Sequence, residues 1–115
     1  MKLPRADALI VEREKITDYL LNPAHRYGAS KARFFAASGF RAEEWETFAQ
    51  ALREPGQNHT VTKVRETGFG PRYGVEGELI APDGRRPRVR TVWQLDEGGV
   101  TPRLITGFPL EASYD

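Results

Sequence analysis

Two stretches of this chain are basic and free of carboxylates. Between Asp18 and Glu43 lie His25, Arg26, Lys31, Arg33 and Arg41, and between Asp83 and Asp96 lie Arg85, Arg86, Arg88 and Arg90. The formal net charge is only +1, so these windows are local features. Cations without carboxylates beside them keep their field at short range, which suits a phosphate-bearing partner. A solvated surface gives the same pattern. His25 can exchange protons near neutral pH. A histidine with lysine or arginine is enough to cleave RNA without a metal. One group takes the 2′-hydroxyl proton, another protonates the leaving oxygen, and cations stabilise the phosphorane. The competing reading of His25 is a surface-loop residue, and no second acid or base stands out beside it.

The remaining candidates lie on the second half of the chain. In the strand register derived below, Arg88 and Arg90 face Glu78 and Glu76 and can form cross-strand ion pairs. Arg103 lies opposite Gln94 without such a partner, which makes it the better phosphate ligand. Thr91 and Thr106 are expected to face each other as a hydroxyl pair. His59, in Gln-Asn-His-Thr, reads as solvated loop. With two histidines and no cysteine there is no metal motif, and no cofactor is implied. The stretch Gly68-Phe-Gly-Pro-Arg-Tyr-Gly74 is glycine-rich, but a strand follows it rather than a helix, so it is no phosphate loop. No serine sits in a nucleophile elbow.

These residues need a scaffold, and composition bounds it. A chain of 115 residues with 39% hydrophobic and 29% charged residues reads as one soluble domain, residues 1–115. The lack of cysteine excludes a disulfide scaffold and permits a cytoplasmic location. No apolar run approaches the ~18 residues of a membrane span, and no signal peptide is read at the start.

The first half reads as helical. Ala8 to Val11 is a short apolar run, an edge strand or an anchored lead-in. A helix over 13–21 places Ile16, Tyr19 and Leu20 on one apolar face, and Asn22-Pro23 stops it. Ser30 is expected to cap a second helix over 31–38, with Ala32, Phe35 and Ala36 buried, Gly39 at the left-handed position and Phe40 just beyond. A third helix over 42–53 carries the stripe Trp45, Phe48, Ala49, Leu52, with Pro55-Gly56 as its stop.

The second half reads as an antiparallel meander with strands over 61–66, 72–80, 86–95 and 102–108. Pro82-Asp83-Gly84 suits a type I turn closed by a glycine bulge. That turn sets Tyr73 opposite Trp93, Val75 opposite Thr91 and Gly77 opposite Val89. In the last hairpin Leu95 faces Pro102, Trp93 faces Leu104 and Thr91 faces Thr106. One face then collects Tyr73, Val75, Leu79, Val89, Thr91, Trp93, Leu95, Leu104, Thr106 and Phe108, where the helices should pack. The other collects Arg72, Glu76, Glu78, Arg88, Arg90, Gln94 and Arg103.

Several segments together resemble the DUF6883 family of small bacterial domains. They are Leu-Pro-Arg-Ala-Asp (3–7), Lys-Ile-Thr-Asp-Tyr-Leu-Leu-Asn-Pro-Ala-His (15–25), Lys-Ala-Arg-Phe-Phe (31–35), Gly-Phe (39–40), Trp45, Phe-Gly-Pro-Arg-Tyr (69–73), Pro-Asp-Gly-Arg (82–85), Val-Arg-Thr-Val-Trp (89–93) and Pro-Arg-Leu-Ile-Thr (102–106). Relatives of that pattern are similar to the tips of large polymorphic toxins, which often have the barnase–EndoU–colicin–RelE fold. The resemblance implies N-terminal helices on a four-stranded sheet and metal-independent endoribonuclease activity. It also implies an RNA substrate (tRNA, mRNA or rRNA) and a neutralising antitoxin or immunity partner, as in a two-gene toxin module. Where many relatives have His-Pro after the Asn-Pro pair, this chain has His25-Arg26.

The reading of the sequence is therefore an α+β domain of three N-terminal helices on a four-stranded antiparallel meander. His25, Lys31, Arg90 and Arg103 are expected to be catalytic and Arg33, Arg88, Thr91 and Thr106 to bind substrate; apart from Arg88, these are the polar positions the family resemblance carries over. No metal, cofactor or membrane is expected. The alternatives are a non-catalytic module that binds protein or RNA with the same sheet face, and a catalytically dead relative kept for its fold.

Overall fold

The computed structural model describes residues 1–110. A 3₁₀ turn (Ala6–Ala8) leads into helix α1 (Arg13–Lys15), which runs on as a π-helical turn (Ile16–Leu20). The Leu21 N–H donates to the Ile16 carbonyl five residues back, at 2.8 Å. Helix α2 (Ala29–Ala37) follows. A 3₁₀ turn (Ala42–Glu44) then opens helix α3 (Trp45–Asn58). Strands β1 (Val61–Thr67), β2 (Gly70–Glu78), β3 (Arg88–Gln94) and β4 (Arg103–Pro109) form one antiparallel sheet in chain order. This is the α+β layout read from the sequence.

The helix ends show which local signals govern. Helix α2 closes as anticipated: the Gly39 N–H reaches the Ala36 carbonyl and the Phe40 N–H the Phe35 carbonyl, at 3.0 and 3.2 Å. This double closure needs the left-handed backbone of Gly39, whose φ is 101°, and glycine adopts it without steric cost. At its start Ser30 does not cap. Gly28 holds the cap position, and the N–H groups of Tyr27 and Gly28 are accepted by His25 instead. Helix α3 runs through Pro55 and Gly56 to Asn58. Both residues are buried, with Gly56 against Leu9, Leu3 and Trp93. Tertiary packing overrides the local stop there.

The core lies between the helices and one sheet face. Phe35, Phe48, Leu52, Val75, Leu79, Val89, Trp93 and Leu104 are buried in it, joined by Leu3, Leu9, Val11, Ile16 and Leu20 from the first segment. Trp45 is only partly buried against this cluster. The apolar lead-in docks on the sheet edge by one parallel bridge, Ile10 to Arg103, with Ile10 N–H on the Pro102 carbonyl and Leu104 N–H on the Ile10 carbonyl.

The β2–β3 register is the one derived from the turn: Tyr73–Trp93, Val75–Thr91 and Gly77–Val89. The β3–β4 register agrees at Trp93–Leu104 and Gln94–Arg103, then shifts between Val92 and Trp93, so that Thr91 faces Gly107 and Val92 faces Thr106. A bulge places one extra residue, Ile105, on β4. Every residue beyond it flips to the other face. Thr106 and Phe108, expected toward the helices, therefore stand on the outer face, and the Thr91–Thr106 pair does not form.

Candidate functional site

The bulge and the π turn meet at one place. Tyr19, in the π turn, and Thr106, just past the bulge, bring their hydroxyls to 2.9 Å. Lys31 on α2 donates from Nζ to the Tyr19 hydroxyl at 2.5 Å and to the Thr106 hydroxyl at 3.2 Å. All three side chains are partly buried. Burial opposes ionisation of the Tyr19 phenol. The hydrogen bonds with Lys31 and Thr106 and the charges of Lys31 and Lys15 outweigh that effect and hold its pKa below the ordinary tyrosine value. Among the described residues Lys31 has no carboxylate within ion-pair distance, so its charge is free to act on the phenol.

Two neighbours fix the Tyr19 ring. Gly28 lies flat against it: a Cβ there would sit 2.7 Å from ring carbon Cδ1 and 3.0 Å from the Tyr19 carbonyl oxygen. His25 packs edge-on, with ring centroids 4.8 Å apart. The His25 Nδ1 accepts the N–H groups of Tyr27 and Gly28, each at 3.0 Å. A ring nitrogen that accepts two such bonds carries no proton, so the neutral ring keeps its proton on Nε2. His25 thus ties down the loop between the π turn and α2. It lines a hollow of about 320 Å³ together with Tyr19, Lys15, Glu12, Glu14 and Asp18, so three carboxylates and one ammonium stand around the Tyr19 and His25 rings.

Thr106 also lines a second hollow, on the outer sheet face. This groove, of about 240 Å³, is walled by Lys63, Arg65, Arg72, Arg90 and Phe108, and no carboxylate lines it. Arg90 enters it half-buried, donating from Nε to Glu76 at 3.1 Å with a second, shorter bond from its terminal nitrogen. The Arg90 guanidinium carbon lies 5.9 Å from the centre of the Phe108 ring.

The residues singled out in the sequence fall into distinct groups. Lys31 and Thr106 are hydrogen-bonded to each other, and Thr106 shares the outer groove with Arg90. Arg33 is exposed on α2. Arg88 is exposed and reaches Glu76 at 3.8 Å rather than Glu78, its partner in register. Arg103, expected to lack a partner, is paired twice with Asp96, at 2.7 and 3.1 Å. The partner comes from the β3–β4 turn, which register alone does not show. The Arg103 hydrogen bond holds the Asp96 carboxyl below its ordinary range, and the same bond raises the Arg103 pKa. Thr91 is fully buried, and its hydroxyl accepts the indole N–H of Trp93 at 2.8 Å. It cannot meet a substrate. Tyr19 was missed because it falls on the apolar face of its helix. The available signal was its hydroxyl, which needs a partner when half-buried.

Among the described residues no three His, Cys, Asp or Glu side chains gather as metal ligands, and no helix is long and apolar enough to cross a membrane. An α+β fold of this kind is found in a solved structure. One chain of a contact-dependent growth inhibition toxin–immunity protein complex from Klebsiella pneumoniae 342 is similar, with a TM-score of 0.63 and 21% identity over 93% of this chain and 97% of that one. No curated protein sequence matches. The chain belongs to the DUF6883 family, a domain of unknown function, whose model matches residues 2–111.

Proposed function

We propose that this chain is a metal-independent endoribonuclease of the toxin type, with the barnase–EndoU–colicin–RelE fold and Tyr19, Lys31 and Thr106 at its centre. The observation that carries the proposal is the Lys31–Tyr19 hydrogen bond, which Thr106 joins to the acid-free groove. It places a phenol of lowered pKa and an unpaired ammonium within one bond of each other. The similarity to a chain of a toxin–immunity complex supports the same reading.

The chemistry balances with these two groups. The Tyr19 phenolate takes the proton of a ribose 2′-hydroxyl as its oxygen attacks the adjacent phosphorus. The Lys31 ammonium stabilises the phosphorane and gives a proton to the departing 5′-oxygen. The products are a 2′,3′-cyclic phosphate and a free 5′-hydroxyl. The proton then on Tyr19 returns to Lys31 along the hydrogen bond between them, which restores the starting state. The Thr106 hydroxyl orients the phenol, and Arg90 and Arg33 supply cations for flanking phosphates. His25 is assigned to positioning rather than proton transfer, because its Nδ1 is engaged by the loop N–H groups. The 2′-hydroxyl requirement makes the substrate RNA. A chain with this activity needs a neutralising immunity protein or antitoxin in the cell that makes it.

The test is incubation of purified protein with total tRNA in EDTA, beside Tyr19→Phe and His25→Ala. Cleavage by the wild type, lost in Tyr19→Phe and partly kept in His25→Ala, supports the assignment. Intact RNA in every lane overturns the enzyme reading and leaves the binding-module alternative. Full activity in Tyr19→Phe overturns the mechanism.

A further inference from the structure

The outer face of the sheet carries an arrangement that folding alone does not explain. Arg65 on β1 and Arg72 on β2 are direct cross-strand partners. Like charges placed opposite each other destabilise a sheet. Arg72 donates to the Gln94 side-chain oxygen at 2.7 Å, a neutral partner, and neither Arg65 nor Lys63 has an ion pair among the described residues. Lys63 stands two residues from Arg65, on the same side of the strand. Its partner Gly74 leaves the groove floor without a side chain. Strand β1 is exposed along most of its length, so these cations face solvent. At the other end of the groove stands Thr106, bonded to Lys31 and Tyr19.

We infer that this groove is the docking track for the RNA backbone, with Lys63, Arg65 and Arg72 as phosphate ligands that lead the strand to Thr106. The inference rests on the ribonuclease reading and adds to it the path of the substrate. An anionic phosphate between Arg65 and Arg72 turns their mutual repulsion into attraction to the ligand. Arginine is suited to this, since its fork of donors holds two phosphate oxygens at once. The choice of RNA over an acidic protein follows from the placement: the track ends at the hydroxyls and ammonium proposed to act on a phosphodiester.

The experiment measures binding of a short 2′-O-methyl oligoribonucleotide, which keeps the phosphates and cannot be cleaved by 2′-hydroxyl attack. Affinity is followed against salt for the wild type, the double variant Lys63→Gln/Arg65→Gln and the triple variant with Arg72→Gln added. Arg41→Gln serves as a control, because Arg41 pairs with Glu43 outside the sheet. Each lost phosphate contact should lower the salt slope by about 0.7, so the double variant should lose roughly 1.4 and the control nothing. The double variant guards against misfolding, since Lys63 and Arg65 are exposed. An unchanged slope in the double and triple variants, with tRNA still cleaved, overturns the track and leaves the ribonuclease reading intact. Absence of both binding and cleavage in the wild type overturns both. Unchanged RNA binding, with loss of a co-expressed immunity protein from the double variant, assigns the groove to that partner instead.

Discussion

The two acid-free basic windows of the sequence meet opposite fates in the fold. The first, which holds His25 and Lys31, supplies an ammonium that reaches no carboxylate among the described residues and settles against a phenol and a threonine hydroxyl. In the second, from Arg85 to Arg90, three of the four arginines are ion-paired, to two carboxylates. Arg85 bonds Asp83, and Arg88 and Arg90 share Glu76 from the neighbouring strand. Meanwhile Lys63, Arg65 and Arg72, scattered among carboxylates in the sequence, gather in a groove that no carboxylate lines. Charge free of acid in sequence is thus not charge free of acid in space. A meander places acids beside bases from other strands, and a half-buried hydroxyl can hold a cation where a surface carboxylate would have screened it.

The sharpest way to break this contrast is to remove the cation of the first window. Lys31→Met should lower RNA cleavage by ~10²–10⁴-fold, the range for a positioned proton-transfer group, measured as single-turnover rate on tRNA. It should also move the phenol pKa upward, since the Lys31 bond and charge act with the Thr106 bond and the Lys15 charge to pull it down. Retained activity would place the chemistry elsewhere. A second perturbation tests the frame that holds both windows. Trp93 is fully buried and bonded to Thr91, so Trp93→Ala should cost ~3–5 kcal/mol in a denaturant titration. The smallest effect belongs to the second window. Arg88→Gln, which removes an exposed and long ion pair, should change stability by less than ~1 kcal/mol and leave RNA affinity nearly unaltered. A loss of affinity matching that of the Lys63 and Arg65 variants would erase the distinction drawn here.

Much of the scaffold was legible because its signals are local and periodic. The Pro82-Asp83-Gly84 turn fixed the β2–β3 register, and Gly39-Phe40 fixed the end of α2. What was not legible arose from long-range packing. Pro55-Gly56 reads as a stop, yet burial against Leu9 and Trp93 carries the helix past it. The bulge at Ile105 has no sequence mark, and it turned Thr106 from an inner residue into one that reaches Lys31. Arg103 seemed free only because Asp96, in the turn, lies outside the ladder. Lys31 was legible as a cation in an acid-free window, and Thr106 entered the candidate set through the family resemblance. Tyr19, which joins them, was hidden by its place on an apolar helix face and is recovered only when the π turn and the bulge bring the three together.

The most direct measurement is the pH dependence of single-turnover RNA cleavage in EDTA, for the wild type and for Tyr19→Phe. The fold lowers the Tyr19 pKa from its ordinary value, and activity should rise with pH as Tyr19 loses its proton. That rise should lie below the ordinary tyrosine value of ~10 and fade as pH falls through the lowered pKa. In Tyr19→Phe the rise should vanish and the rate should drop by ~10²–10⁴-fold, with the fold intact by circular dichroism. A wild type that leaves RNA uncut, or a Tyr19→Phe protein with the same rate and profile as the wild type, would contradict the account.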